Sequence, residues 1–439
     1  MKHFPVILMR SACLLGIFFG VSACPLMAGD EPAWTVDALV RLALENNAEL
    51  RFYEAEVLAA KGQRTQAGLW KNPELSGEYG ERRIKDSSGQ LQEEGATRGF
   101  SLTQTFEFPG KGSLRKAIAN KNIELAEFGL KQFRLVLGGK VKQLAYRLDA
   151  QDQTVAAAEE IRNHAMQLTQ GIRQRKTAGI QGLLDLRLIE AGMVADSNTV
   201  AEIEGEREET LAEMRTLLGL PSSQAFIIRV SPRRPVIHFD MNQTILQGLG
   251  NNLLLKTRRL ELEKALQEVS AARLDAAPDF SVGPFFSQDK AGGSEENFGV
   301  TGSVTLPLWD WNQGNIATAG ARRAQADAML LQARREVEGA IVKRIKIGRV
   351  LEKQIAAFDG DFLTKMRDAA DVSDRHFRLG AVSSTTYLEV QRQYLGAVRN
   401  YHNILLRLQE NILDLELLTG GALNDSAANA QNSKLERKK

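Results

Sequence analysis

Side chains able to do chemistry are few in this chain and do not converge. Of the five histidines, His164, His238, His376 and His402 fall on different expected helices and one linking stretch. A lone helical imidazole is more often packed or solvated than a metal ligand. Cys13 and Cys24 both lie in an apolar leader, so the mature chain is expected to hold neither disulfide nor thiolate site. The acidic run Glu202 to Glu209, EIEGEREE, could attract cations, but on a long helix it reads as a wetted face. No glycine loop precedes a Lys-Ser/Thr pair to cradle phosphate, and no serine stands in a nucleophile elbow. The expectation is a protein that is not an enzyme, with no cofactor and no metal cage of its own.

Three tryptophans carry the first positive signal. Trp70, Trp309 and Trp311 stand at the ends of segments with strand-like alternation, where a membrane–water interface would favour them and ordinary core packing would also explain them. The leader agrees with export. Lys2 and Arg10 flank the start of an apolar run, Ser11 to Ala23, that is too short to span a bilayer as a mature helix. Two cut sites are open: cleavage after Ala28 gives a signal peptide of residues 1–28, whereas Val21-Ser22-Ala23-Cys24 resembles a lipobox that would end the leader at 23 and lipidate Cys24. Either cut removes Lys2 and Arg10 and takes the formal charge from +2 to zero, so nucleic acid is not an indicated partner.

The elements that must position these groups are long helices and short strands, written twice. A chain of 439 residues with 6% aromatics and 11 prolines, rich in Ala, Leu, Glu, Gln, Arg and Lys, suits an elongated helical form. An apolar stripe from Val36 to Leu50 opens a helix expected to run about 36 residues, ~54 Å, until Asn72-Pro73 breaks it. Leu75, Gly77 and Tyr79 then alternate as a strand, Ile84 to Arg98 reads as a polar loop, and Gly99 to Phe108 returns as a second strand. The proline-free run from Ser113 to about Lys176 is the longest expected helix, ~95 Å, with Ile123, Leu130, Leu137 and Leu144 spaced at seven. A two-glycine turn at Gly179 and Gly182 sends a helix back from Leu183 to Leu218, closed by Gly219 and Pro221.

The second copy follows residues 221–239, a linker with Pro232 and Pro235. Asn251-Asn252 repeats Asn46-Asn47, Pro278 repeats Pro73, and Ser303, Thr305 and Gly314 repeat Ser101, Thr103 and Gly112. Its expected parts are a strand at Phe280 to Gln288, a polar tip at Ser287 to Asn297, a strand alternating from Val300 to Leu306 and ending in Pro307, Trp309 and Trp311, a helix from Ile316 to His376, and a turn at Gly380. The repeats are taken as 34–220 and 240–421, with a disordered tail over 422–439. Four strands cannot close a barrel, and an open edge in lipid leaves backbone groups unpaired, so several chains are expected to share one.

These features together make the chain similar to the TolC-type outer-membrane efflux protein family, from Trp34 to Gly420. The resemblance rests on RLALENNAEL, the NPEL break, and two glycine turns each followed by a helix ending in a Leu-Leu pair before glycine. It implies a mostly α fold with membrane β: a homotrimer with a twelve-stranded β-barrel in outer-membrane lipid, continued by an α-helical tunnel projecting into the periplasm. It further implies that Ala178, Gly179, Ile180, Leu379, Gly380 and Ala381 form a tip that docks a periplasmic adaptor, itself joined to an inner-membrane pump. Family members commonly narrow that tip with carboxylates six and nine residues after the second-repeat glycine; the resemblance places Thr386 and Glu389 there, so one acid of the two is present, with Asp185 as the first-repeat acid. TQTFEFPGKG resembles the heavy-metal branch of the family through Gly110-Lys111. The expected function is passive exit of substrate, heavy-metal cations among the candidates; the alternatives are the exit channel of a type I protein secretion system or a non-conducting periplasmic adaptor.

Overall fold

A computed structural model describes residues 34–174, 180–222, 224, 228–230, 240–358 and 361–421. The leader with Cys24, the turn residues Ala178 and Gly179, His238, most of the linker and the tail beyond 421 lie outside the described residues. In chain order the elements are β1 (Trp34–Thr35), α1 (Val36–Asn46), α2 (Ala48–Ala67), β2 (Glu74–Lys85), β3 (Leu91–Phe106), α3 (Lys111–Gln174) and α4 (Ile180–Leu218). There follow β4 (Ile228–Arg229), α5 (Met241–Asn251), α6 (Leu253–Asp275), β5 (Phe280–Asp289), β6 (Glu295–Val304), α7 (Gln313–Ala357), α8 (Phe362–Arg378) and α9 (Ser384–Leu418).

One expectation holds closely: α3 is a continuous helix of 64 residues, flanked by the shorter α2 and α4. Leu137 and Leu144 of its heptad row are buried with Leu39, Ala43, Met214 and Leu218 in a core between α1, α3 and α4. The second repeat builds a similar core from Leu255, Val337, Ile341, Ile345 and Leu415. Arg344, which interrupts the second heptad row, pairs at 2.8 Å with Asp414.

Two expected helices are each divided. The opening helix stops at Asn46 and restarts at Ala48, because the Asn47 side chain turns back to accept from the Glu49 and Leu50 N–H groups at 3.0 and 3.2 Å. Its amide also donates to the Leu217 carbonyl at 3.0 Å, tying this joint to the end of α4. Asn252 repeats the arrangement, accepting from Leu255 N–H and donating to Leu418 carbonyl at 2.8 Å. Across each joint sits a glycine in the left-handed region, Gly219 (φ 65) and Gly420 (φ 68). The expected Ile316–His376 helix is likewise two, α7 ending at Ala357 and α8 beginning at Phe362. Aspartates and a glycine, the weak helix formers Asp359, Gly360 and Asp361, fill the sequence between them.

The expected polar loop at 84–98 is mostly strand, as is most of the expected tip at 287–297. Asp86 closes a tight turn by accepting from the Ser88 and Gln90 N–H groups, both at 2.9 Å, with Gly89 at φ 85. The charges that suggested a loop instead pair along and across the ribbon: Arg83 meets Glu81 at 2.9 Å and Glu94 at 3.2 Å. After Val304 the Trp309 and Trp311 segment is irregular rather than extended. A short parallel pair, β1 with β4, was not expected.

Candidate functional site

Four strands form one antiparallel sheet in the order β2-β3-β5-β6, so each hairpin keeps its own partner and β3 joins β5. Register then decides the faces. Leu75 opposes Leu102, Phe100 opposes Phe286, Phe286 opposes Phe298, Pro284 opposes Val300 and Phe280 opposes Val304, which places all of them on one side. The other side carries Ser76 and Ser101, hydrogen-bonded at 2.9 Å, and Thr105 and Ser281 at 3.0 Å. Nothing among the described residues covers the apolar side: Phe298 is 81% and Val300 70% exposed. A sheet with a bare apolar face, a polar reverse and two unpaired edges suits a barrel wall in lipid, and the edges demand other chains.

The apolar face has limits at both ends. From Phe280 to Phe286 it runs about 20 Å along the strand. Above it stand Arg98 and Gln288, joined at 2.7 Å, and Glu296, which accepts from Gln288 at 2.8 Å. At the helix end come Trp70, Trp309 and Trp311, all exposed, with Trp70 edge-on to Phe106 at 5.8 Å. The exposure of these three indoles means that packing in a core of the single chain does not explain them.

The strand-to-helix junction explains Gly110-Lys111 without reference to cargo. Gly110 takes φ 101, and Asn312, its equivalent in the second repeat, takes φ 65. Both strand-to-helix transitions therefore need a left-handed residue, supplied by glycine once and asparagine once. Lys111 then points its Nζ at Asp279 Oδ1 (2.7 Å) and the Ala277 carbonyl (2.7 Å). Burial works to raise the Asp279 carboxyl, but the Lys111 ammonium, the Phe108 N–H and Lys71 outweigh it and bring it down to about 2. A carboxyl depressed from its free value of about 3.9 contributes stability that is full above about pH 4 and fades as pH falls toward 2. Lys111→Ala should lower stability by roughly 1–3 kcal/mol at neutral pH. Asp279→Asn should remove its share of the acid sensitivity, read by thermal melts in detergent across that window; an unchanged pH profile would count against the junction.

At the far end the α8–α9 turn closes as a Schellman motif, with Ala381 N–H on His376 carbonyl at 2.9 Å and Gly380 N–H on Phe377 carbonyl at 3.0 Å. Leu379 and Ile180 leave their apolar side chains in the open, 80% and 83% exposed. Behind the turn, Tyr387 is buried and stacks on Phe377 at 5.4 Å, beside Ile189 of α4. Sequence reasoning passed over Tyr387; its seven-residue spacing to the buried Tyr394 was the available signal.

The three residues expected at the gate are not joined to one another by a hydrogen bond or salt bridge among the described residues. Asp185 accepts from Ser384 Oγ at 2.7 Å, a link between α4 and α9. Thr386 belongs to the α9 cap, its N–H donating to Ser383 Oγ at 3.2 Å. Glu389 is exposed and meets only neighbours on its own helix, Gln393 at 2.7 Å and Arg392 at 3.4 Å, among the described residues.

Comparison with known proteins places these features in a family. The family model described as "Outer membrane efflux protein" matches residues 39–220 and 245–421. The nickel-cobalt-cadmium resistance protein NccC of Alcaligenes xylosoxydans xylosoxydans is 24% identical over 335 residues, 76% of this chain and 74% of that protein. The pyoverdine export outer membrane protein OpmQ of Pseudomonas putida is 22% identical, covering 89% of this chain and 87% of its own length. A solved structure of CusC, described in terms of transmembrane channel formation, superposes with TM-score 0.70 at 18% identity, over 89% of this chain and 93% of that one.

Proposed function

The chain belongs to the outer membrane efflux protein family, and from that premise we propose that three copies close one barrel and form the exit duct of a tripartite efflux assembly. The single observation that carries this reading is the four-stranded sheet, bare and apolar on one face, with β2 and β6 left as edges. A non-conducting periplasmic adaptor would have no use for such a sheet. An inner-membrane pump supplies the energy, and a periplasmic adaptor reaches the helical tip through the exposed Leu379 and Ile180, with Ala178, Gly179, Gly380 and Ala381 completing the docking turns. A type I protein secretion exit remains the alternative use of the same duct.

Heavy-metal cations are the proposed cargo class. The nickel-cobalt-cadmium relative supports this; the pyoverdine exporter supports an organic cargo instead. Deleting the gene and scoring sensitivity to nickel, cobalt and cadmium decides between them: hypersensitivity supports metal export, and unchanged tolerance removes it.

Glu389 gates the duct electrostatically, since three symmetry copies of an exposed carboxylate near the tip make a ring that favours cations. Asp185, tied to Ser384, serves the gate by holding the α9 start against α4, and Thr386 by capping α9. Glu389→Ala should reduce the cation preference of the reconstituted pore in planar bilayers; unchanged conductance and selectivity would remove Glu389 from the gate.

A further inference from the structure

The histidines that sequence reasoning scattered are not all isolated once the chain is folded. Glu160 and His164 stand one turn apart on α3, and Asp371 reaches them from α8. One ligand atom from each lies within 4.8 Å of the other two, and all three residues are half-buried. Arg367 donates to Glu160 Oε1 from Nε at 3.1 Å and from Nη2 at 2.5 Å, which leaves the second carboxylate oxygen without a hydrogen bond. Among the described residues, neither the His164 ring nor the Asp371 carboxylate makes a side-chain hydrogen bond or salt bridge. Two groups able to act as ligands thus face each other without a hydrogen-bond partner among the described residues, beside a third that is held by Arg367, whose charge also acts on Asp371.

We propose that Glu160, His164 and Asp371 bind a borderline divalent cation of the zinc, cobalt or nickel type. One neutral imidazole and two carboxylates are the donor set such ions take, with water completing the shell, and they disfavour the soft monovalent ions that call for sulfur ligands. Arg367 is the resident competitor: its guanidinium already neutralises Glu160 and must yield for the carboxylate to bind metal. The site joins the two repeats, since α3 comes from the first and α8 from the second. It lies about 20 Å along α3 from Gln174, below the proposed tip gate. Occupancy would fasten the α8 segment to the long helix close to where the tunnel ends. The site is independent of cargo and would bind metal whether the pump exports ions or organic molecules.

Cobalt(II) titration of the full-length protein in detergent tests this, because a Co²⁺ ion leaving hexaaquo geometry gains visible absorption. Bands that saturate in the wild type and weaken at least about tenfold in affinity in His164→Ala and in Asp371→Asn are expected. Arg367→Ala should bind more tightly, a change that a merely structural role for the arginine would not produce. Each variant is checked for the same heat-sensitive oligomer on gels, and His164→Asn stands in if the alanine variant fails that check. Absence of bands below about 1 mM Co²⁺, bands that persist unchanged without His164, or weaker binding in Arg367→Ala would each overturn the assignment.

Discussion

Val300→Arg is expected to prevent barrel assembly, whereas Thr301→Arg, one residue on, should leave it intact. Val300 is 70% exposed in the single chain and lies between Phe298 and Val304 on the apolar face, opposite Pro284. On a sheet bathed in water, such a surface change would shift stability by less than about 0.5 kcal/mol. Facing hydrocarbon, an arginine near mid-depth costs about 2–4 kcal/mol, and a shared barrel incurs that cost once per subunit. Thr301 opposes Gly283 on the polar side, where a lumen would hydrate a charge. The measurement is the yield of heat-sensitive oligomer from outer membranes. Equal yields for the two variants would mean that the apolar face does not meet lipid.

Gly420→Ala should be the most damaging small substitution in the helical part. A Cβ there would sit 2.5 Å from the Asn251 carbonyl oxygen, a backbone atom unable to move without disturbing the Asn252 joint. The residue also holds φ 68, which costs any residue with a Cβ about 1–2 kcal/mol before the clash is counted. Together these make a loss of about 3 kcal/mol or more. Gly380→Ala is the internal comparison: its φ is 77, but nothing lies within 4 Å of the added carbon, so only the conformational cost of about 1–2 kcal/mol remains. Thermal midpoints of the two variants should therefore separate clearly, with Gly420→Ala the lower. Similar midpoints would show that the joint is looser than its geometry implies.

The doubled asparagines and glycines were legible as marks of repetition long before their job was. Asn46-Asn47 and Asn251-Asn252 recur at the same place in each copy, as do Gly219 and Gly420, yet their spacing gives no hint that each asparagine reaches the last carbonyls of a distant helix. That bond crosses 170 positions in the first repeat and 166 in the second. The same limit applies to Gly110-Lys111, whose resemblance suggested a metal pump but whose contacts are with Asp279 and Ala277. Polar strand ends were misread as loops for a different reason: alternation marks a strand only where one face is apolar, and the ribbon continues past that band into water.

Local periodicity by itself determined the unbroken length of α3, the presence of two strand hairpins and the doubling, because these depend on residues a few positions apart. What only the tertiary structure decided was which side chains meet across the chain: the sheet order that leaves two edges open, the breaks at Asn47 and beyond Ala357, the separation of Glu389 from Asp185, and the gathering of Glu160, His164 and Asp371. Such meetings depend on how two long hairpins settle side by side. That is fixed by packing over hundreds of residues rather than by any spacing along one of them.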